Sequence, residues 1–145
     1  MIFNIFFGFL VPWSIFLYHK KKPALIVLLL SALISFLIND IGFSLKLWTV
    51  KPFEYAVVSM IPYNLGLFTV VGIYMIQFIA LHQKPLFYII FTSLLLTVFE
   101  FGLCMIGQLN YGNGWNIMFT FFSYLLSTTL LYLLARLTNQ LSVKY

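Results

Sequence analysis

Glu100 is a carboxylate set in an apolar run, FTSLLLTVFEFGLCM, and that setting limits what it can do. An ionised carboxyl at the centre of a membrane span costs about 2.5–3.5 kcal/mol on insertion scales. Such a group must face a helix bundle's interior, carry a proton, or find a partner. Helical spacing puts Ser93, Thr97, Glu100, Cys104 and Gly107 on one side. Small and hydroxyl-bearing residues along that stripe permit close helix approach. Two roles fit: a carboxylate that binds a proton or ligand, and a buried hydrogen-bond node.

A second polar group lies at Asn39, Asp40 and Gly42, where Ser31, Ser35, Asn39 and Gly42 share a helical face. Asn64 follows Pro62 at the start of the next apolar run. With these run ends at one membrane level, Asn39, Asp40, Asn64 and Glu100 are expected to surround one cavity open to the outer face. The competing role for Asp40 is interfacial, balancing Lys46 or Lys51. Trp48 and Trp115 fall in the two outer loops, the second near Tyr111. They serve either as interfacial anchors or as a lid over the polar cavity. Tyr74 and Gln77 are expected to hydrogen-bond a neighbouring helix.

Other chemistry is missing. His19 and His82 sit in inner loops without metal-ligand spacing, and Cys104 is the only cysteine, so no internal disulfide forms. There is no phosphate-cradling glycine loop, nucleophile elbow or lipidation signal. No catalytic residue is identified, and neither a metal nor a cofactor is expected.

The elements that carry these residues follow from composition. Of 145 residues, 63% are hydrophobic and only 8% charged, with a mean hydropathy of +1.04. A soluble domain charges roughly a quarter of its residues. Most of this surface must therefore face lipid. A spanning helix takes about 20 apolar residues, and five segments qualify: about 1–18, 24–43, 62–81, 86–107 and 117–137. Residues 55–61, ahead of Pro62, are expected to form a short interfacial turn, and Pro12 after Gly8 to kink the first span. The first segment has no basic residues before it, so it reads as a retained helix rather than a cleaved signal. The predicted fold is all-α: one polytopic membrane helical bundle of about five transmembrane helices over residues 1–145.

Orientation follows from the cations. With the N-terminus outside, Lys20, Lys21, Lys22, Lys84, Arg136 and Lys144 fall inside, and only Lys46 and Lys51 outside. That favours N-out, C-in. The net charge of +5 points to anionic lipid headgroups, not nucleic acid. Partners are therefore membrane lipids, with self-association or another membrane protein as the protein–protein options.

Residues 39–48, NDIGFSLKLW, followed by IPYN at 61–64 and VGIYMIQF at 71–78, resemble an uncharacterised family of small multi-pass membrane proteins from spore-forming and related Firmicutes. The resemblance covers roughly residues 36–116 and extends to Glu100 and Trp115. Asn39 and Asn64 stand where the family pattern has aspartates, and Leu47 where it has glycine. The resemblance implies a bacterial cytoplasmic membrane setting and no activity. A fainter likeness to membrane-embedded carotenoid cyclases lacks their paired glutamates, since Pro62 is followed by Tyr63 and Asn64. Three functions remain in order of preference. The first is a non-enzymatic accessory, envelope or immunity-type factor. The second is a small transporter or proton-coupled channel using Glu100. The third is a lipid-modifying enzyme with Asp40 and Glu100 as acid and base.

Overall fold

A computed structural model describes residues 1–19 and 25–142. The lysine triplet at 20–22, Pro23 and Lys144 lie outside the described residues. Among the described residues there are five long helices. Helix α1 covers residues 2–18, through Ile2–Asn4, a π-helical stretch Ile5–Leu10 and Val11–Tyr18. Helix α2 is Leu25–Ser44. Helix α3 covers residues 61–82, through Ile61–Tyr63, a π-helical stretch Asn64–Phe68 and Thr69–His82. Helices α4 and α5 are Pro85–Met105 and Ile117–Leu137. Four helices are long and apolar enough to cross a membrane, and α1 is a shorter apolar helix.

Helices α2 to α5 pack as a four-helix bundle, and α1 lies against α3. The polarity is inverted relative to a soluble bundle. Leu29, Leu33, Leu37 and Ile41 on α2, and Phe122, Leu126, Leu130 and Leu133 on α5, are exposed. Ser31, Ser35 and Asn39, with Ser93, Thr97, Glu100, Thr120 and Thr128, are buried. Such an outer surface is far larger than the apolar patches soluble monomers carry. The half of the core nearer the His82 end is apolar, built on Phe16, Val27, Ile73, Ile76, Leu131 and Ala135.

Both proline expectations for α1 and α3 need refinement. Pro12 has no N–H to give the carbonyl of Gly8, four residues earlier. The turn before it opens into the π-helical stretch Ile5–Leu10 rather than a simple kink. A matching π-helical stretch in α3 contains Gly66, and the two cross there. A Cβ on Gly66 would collide with the backbone of Gly8 and Phe9. Widened turns leave carbonyls to be satisfied from the side. Thr69 Oγ1 donates to the Asn64 carbonyl at 2.6 Å and Trp13 Nε1 to that of Leu65 at 2.9 Å. The expected turn before Pro62 is a 3-10 segment, Phe53–Met60, bent at Ala56 (φ 45°).

The two segments at one end that the sequence marks only as loops hold a pair of short strands. Helix α2 ends on Lys46 (φ 56°) and α4 on Gly107 (φ 67°), each in the left-handed conformation. Leu47 N–H donates to the Gly42 carbonyl, and Gln108 N–H to that of Leu103, both at 2.9 Å. These paired caps are Schellman closures, and each directs the chain straight into a strand. Strand β1, Trp48–Val50, and β2, Leu109–Tyr111, then pair antiparallel, Trp48 facing Tyr111 and Val50 facing Leu109. Because side chains alternate, all four point the same way. Trp48, Val50 and Leu109 are buried, while Thr49 and Asn110 are exposed. The ribbon caps that end of the bundle. Asn4 ties α1 to it, its Nδ2 donating to the carbonyls of Lys51 at 2.6 Å and Ser59 at 3.0 Å.

Candidate functional site

Glu100 faces the bundle interior, as its helical stripe required, and is buried. Tyr111 Oη donates to its Oε1 at 2.8 Å and Thr120 Oγ1 at 3.1 Å. Tyr124 Oη donates to its Oε2. The carboxylate is thus gripped by three neutral hydroxyls, one from β2 and two from α5. Trp115 Nε1 donates to Thr120 Oγ1 at 2.9 Å, and its ring lies 5.2 Å from that of Trp48. Trp48 lies over Gly42, where any Cβ would overlap the indole. That glycine is what lets a ring sit on α2. Trp48 is buried, so it belongs to the cap and not to an interfacial belt.

Burial raises the Tyr111 phenol above its ordinary range, and the neighbouring Glu100 carboxylate raises it further. Both effects keep that hydroxyl protonated and donating.

Asn39 and Asn64 come together. Asn39 Nδ2 donates to Asn64 Oδ1 at 2.7 Å and to the Ser35 carbonyl at 3.0 Å. Ser35 Oγ donates to the same Oδ1 at 2.7 Å. Asn64 is fully buried, and its Nδ2 has no partner.

Two cavities connect these groups. One, about 20 Å³, is walled by Glu100, Trp48, Trp115, Thr120, Tyr124 and Asn39. The other, about 50 Å³, lies in the middle of the four-helix bundle and includes Ser31, Ser35, Phe68, Thr92, Thr128 and Leu131. Ile38, Asn39 and Tyr124 wall both, so the second lies directly behind the first. Ser31 Oγ, on the wall of the inner cavity, has no hydrogen-bond partner. The smaller cavity, beside Glu100, is polar enough to take water, at about 10–15 Å³ per probe-sized volume, whereas the larger is walled mainly by apolar side chains.

One expected member is elsewhere. Asp40 is exposed on α2, because it is next in sequence to the inward-facing Asn39 and a helix turns about 100° per residue. The cavity therefore holds Asn39, Glu100, Trp48 and Trp115, with Asn64 bonded behind Asn39 and Asp40 outside. Tyr124 and Thr120 were missed. Thr120, Tyr124 and Thr128 recur every four residues along α5, a polar stripe in an apolar span that marks an inward face. Ser93 Oγ and Thr128 Oγ1, 2.9 Å apart, join the stripes of α4 and α5. Gln77 is buried, but both its amide atoms lack partners, so the expected hydrogen bond to a neighbouring helix is not made. Tyr74 Oη lies 3.1 Å from Nδ1 of His19, the residue that caps the C-terminal end of the neighbouring α1. Among the described residues, no three His, Cys, Asp or Glu side chains are grouped to hold a metal ion.

Fold and site together define an all-α bundle with apolar outer faces and one buried carboxylate beneath an aromatic cap. No family model, curated protein or solved structure matches the chain.

Proposed function

We propose that this is a five-span membrane protein, N-terminus outside and C-terminus inside, that binds a small polar ligand in the capped cavity at Glu100 and catalyses no reaction. Its setting is a bacterial cytoplasmic membrane, and it belongs with the small multi-pass Firmicutes proteins whose sequence pattern it resembles. The observation that carries the binding reading is the pair of adjoining cavities at Glu100, the one beside the carboxyl part polar and the one behind it mostly apolar. They run from the capped end towards the middle of the bundle, and below them Val27, Ile73, Ile76, Leu131 and Ala135 fill the core. A conducting path has no polar continuation there, which weighs against a channel. Lipid chemistry fares worse: the proposed acid and base are not assembled, since Asp40 is exposed and Glu100 buried. Cavities of about 20 and 50 Å³ also exclude a lipid headgroup. Orientation rests on the cations, with Lys46 and Lys51 at the ribbon end and Lys84 and Arg136 at the other.

Two measurements test this. In intact cells, a membrane-impermeant thiol reagent labels a cysteine placed at Asn113 and spares one at Gln83, in a Cys104→Ser background. The opposite pattern overturns the orientation. In proteoliposomes, proton and monovalent-cation flux matches that of empty liposomes. Flux above that level, abolished by Glu100→Gln, would establish transport instead.

A further inference from the structure

We infer that the cavity beneath Trp48 and Trp115 is a binding site for a small organic ammonium ion, with Glu100 as its counter-charge. This names the ligand class for the site proposed above and rests on that reading. The starting point is a buried carboxyl with no cationic partner among the described residues. All three hydrogen-bond partners of Glu100 are neutral hydroxyls. A carboxylate offers about four lone-pair sites. Oε1 uses two and Oε2 one, so Oε2 keeps one acceptor position free.

The walls select among possible cations. A hard metal ion collects about six oxygen ligands, but Tyr111, Thr120 and Tyr124 turn their hydroxyl protons towards the carboxylate. Two indoles and a phenol instead wall the cavity, and aromatic rings attract ammonium groups more strongly once water is excluded. Asn39 adds a second acceptor. Its Nδ2 is committed to Ser35 and Asn64, which leaves Oδ1 for a ligand N–H. Behind Asn39 and Tyr124, the inner cavity offers Ile34, Phe68 and Leu96 to a short alkyl substituent. The unpartnered Ser31 hydroxyl lies there too. The fit is to an ammonium bearing one or two carbons.

At the capped end, Trp115 is carried by a loop whose Asn113 (φ 46°) and Gly114 (φ 74°) are both left-handed. Its Nε1 donates to Thr120 Oγ1 at 2.9 Å, and Asn113 Nδ2 ties the loop to the Leu45 carbonyl at 2.8 Å.

The test uses the full chain in nanodiscs with Trp13→Phe, leaving Trp48 and Trp115 as the only tryptophans of three. Methylammonium and ethylammonium are titrated at constant ionic strength, with methanol and ethanol as neutral counterparts. Tryptophan emission and thermal stability are read together, the latter also in the unsubstituted chain. The expected result is a saturable response to the ammonium ions only. Glu100→Gln abolishes it, and Trp48→Leu weakens affinity roughly tenfold, the size of one desolvated cation–π contact. No saturable response, an equal response to the alcohols, or an undiminished response in folded Glu100→Gln overturns the proposal. If sodium or pH alone shifts the emission through Glu100, and methylammonium does not compete, the binding cavity stands while the ammonium assignment falls. If none of these probes acts through Glu100, both fall.

Discussion

Asn39 Nδ2 donates to Asn64 Oδ1 across 2.7 Å, joining α2 to the first turns of α3 where the π-helical stretch begins. Side-chain bonds between membrane helices average about 0.6 kcal/mol and reach about 1.7. A double-mutant cycle of Asn39→Ala and Asn64→Leu in detergent is expected to give a coupling in that range. Asn64→Leu alone is expected to cost more than Asn39→Ala, because it leaves one Asn39 Nδ2 hydrogen and the Ser35 hydroxyl without an acceptor. Additive single-mutant effects would mean that the bond contributes nothing to packing.

Glu100→Gln is expected to be mild for stability. The glutamine carbonyl keeps the bonds from Tyr111 and Thr120, and its NH₂ donates to the Tyr124 oxygen. Glu100→Leu leaves three hydroxyls facing an apolar side chain and is expected to lower stability by about 1–3 kcal/mol. Thermal unfolding in detergent separates the two. Equal stability for all three chains would show that the hydroxyl cluster is not structural.

Two glycines offer a matched pair. At Gly66 a Cβ meets the α1 backbone, which cannot move aside as a side chain could. Gly66→Ala is expected to part α1 from α3 and lower the unfolding temperature. At Gly102 nothing lies within 4 Å of the same atom, so Gly102→Ala is expected to be neutral, or to stabilise by up to about 1 kcal/mol through helix propensity. A loss at Gly102 as large as that at Gly66 would sink the crossing as the explanation.

Tyr111 sets an alkaline limit. Its phenol is raised in the folded protein by burial, then by Glu100, so the folded state holds that proton more tightly than the unfolded chain. The resulting stability is fully present below the unfolded value of about 10 and is lost as pH rises through the folded one. Melting temperature is therefore expected to fall above about pH 10, with a shallower fall in Tyr111→Phe. Identical alkaline slopes would remove Tyr111 as the cause.

Sequence alone determined the all-α class and the apolar character of the outer surface. With 8% charged residues the chain has no means of covering itself against water, and the apolar run lengths set the helices within a residue or two. The inward faces of α2 and α4 were legible too, because a lone Glu100 or Asn39 in an apolar helix has only one tolerable direction. Only the tertiary structure decided the rest. Trp48 meets Trp115 and Tyr111 meets Glu100 because two left-handed caps send separate loops into one antiparallel ribbon. Strand pairing between short distant segments leaves no local periodicity to read. Asp40 was misplaced for a related reason: adjacent residues look equivalent in sequence, and a turn of about 100° separates a cavity wall from the outer surface.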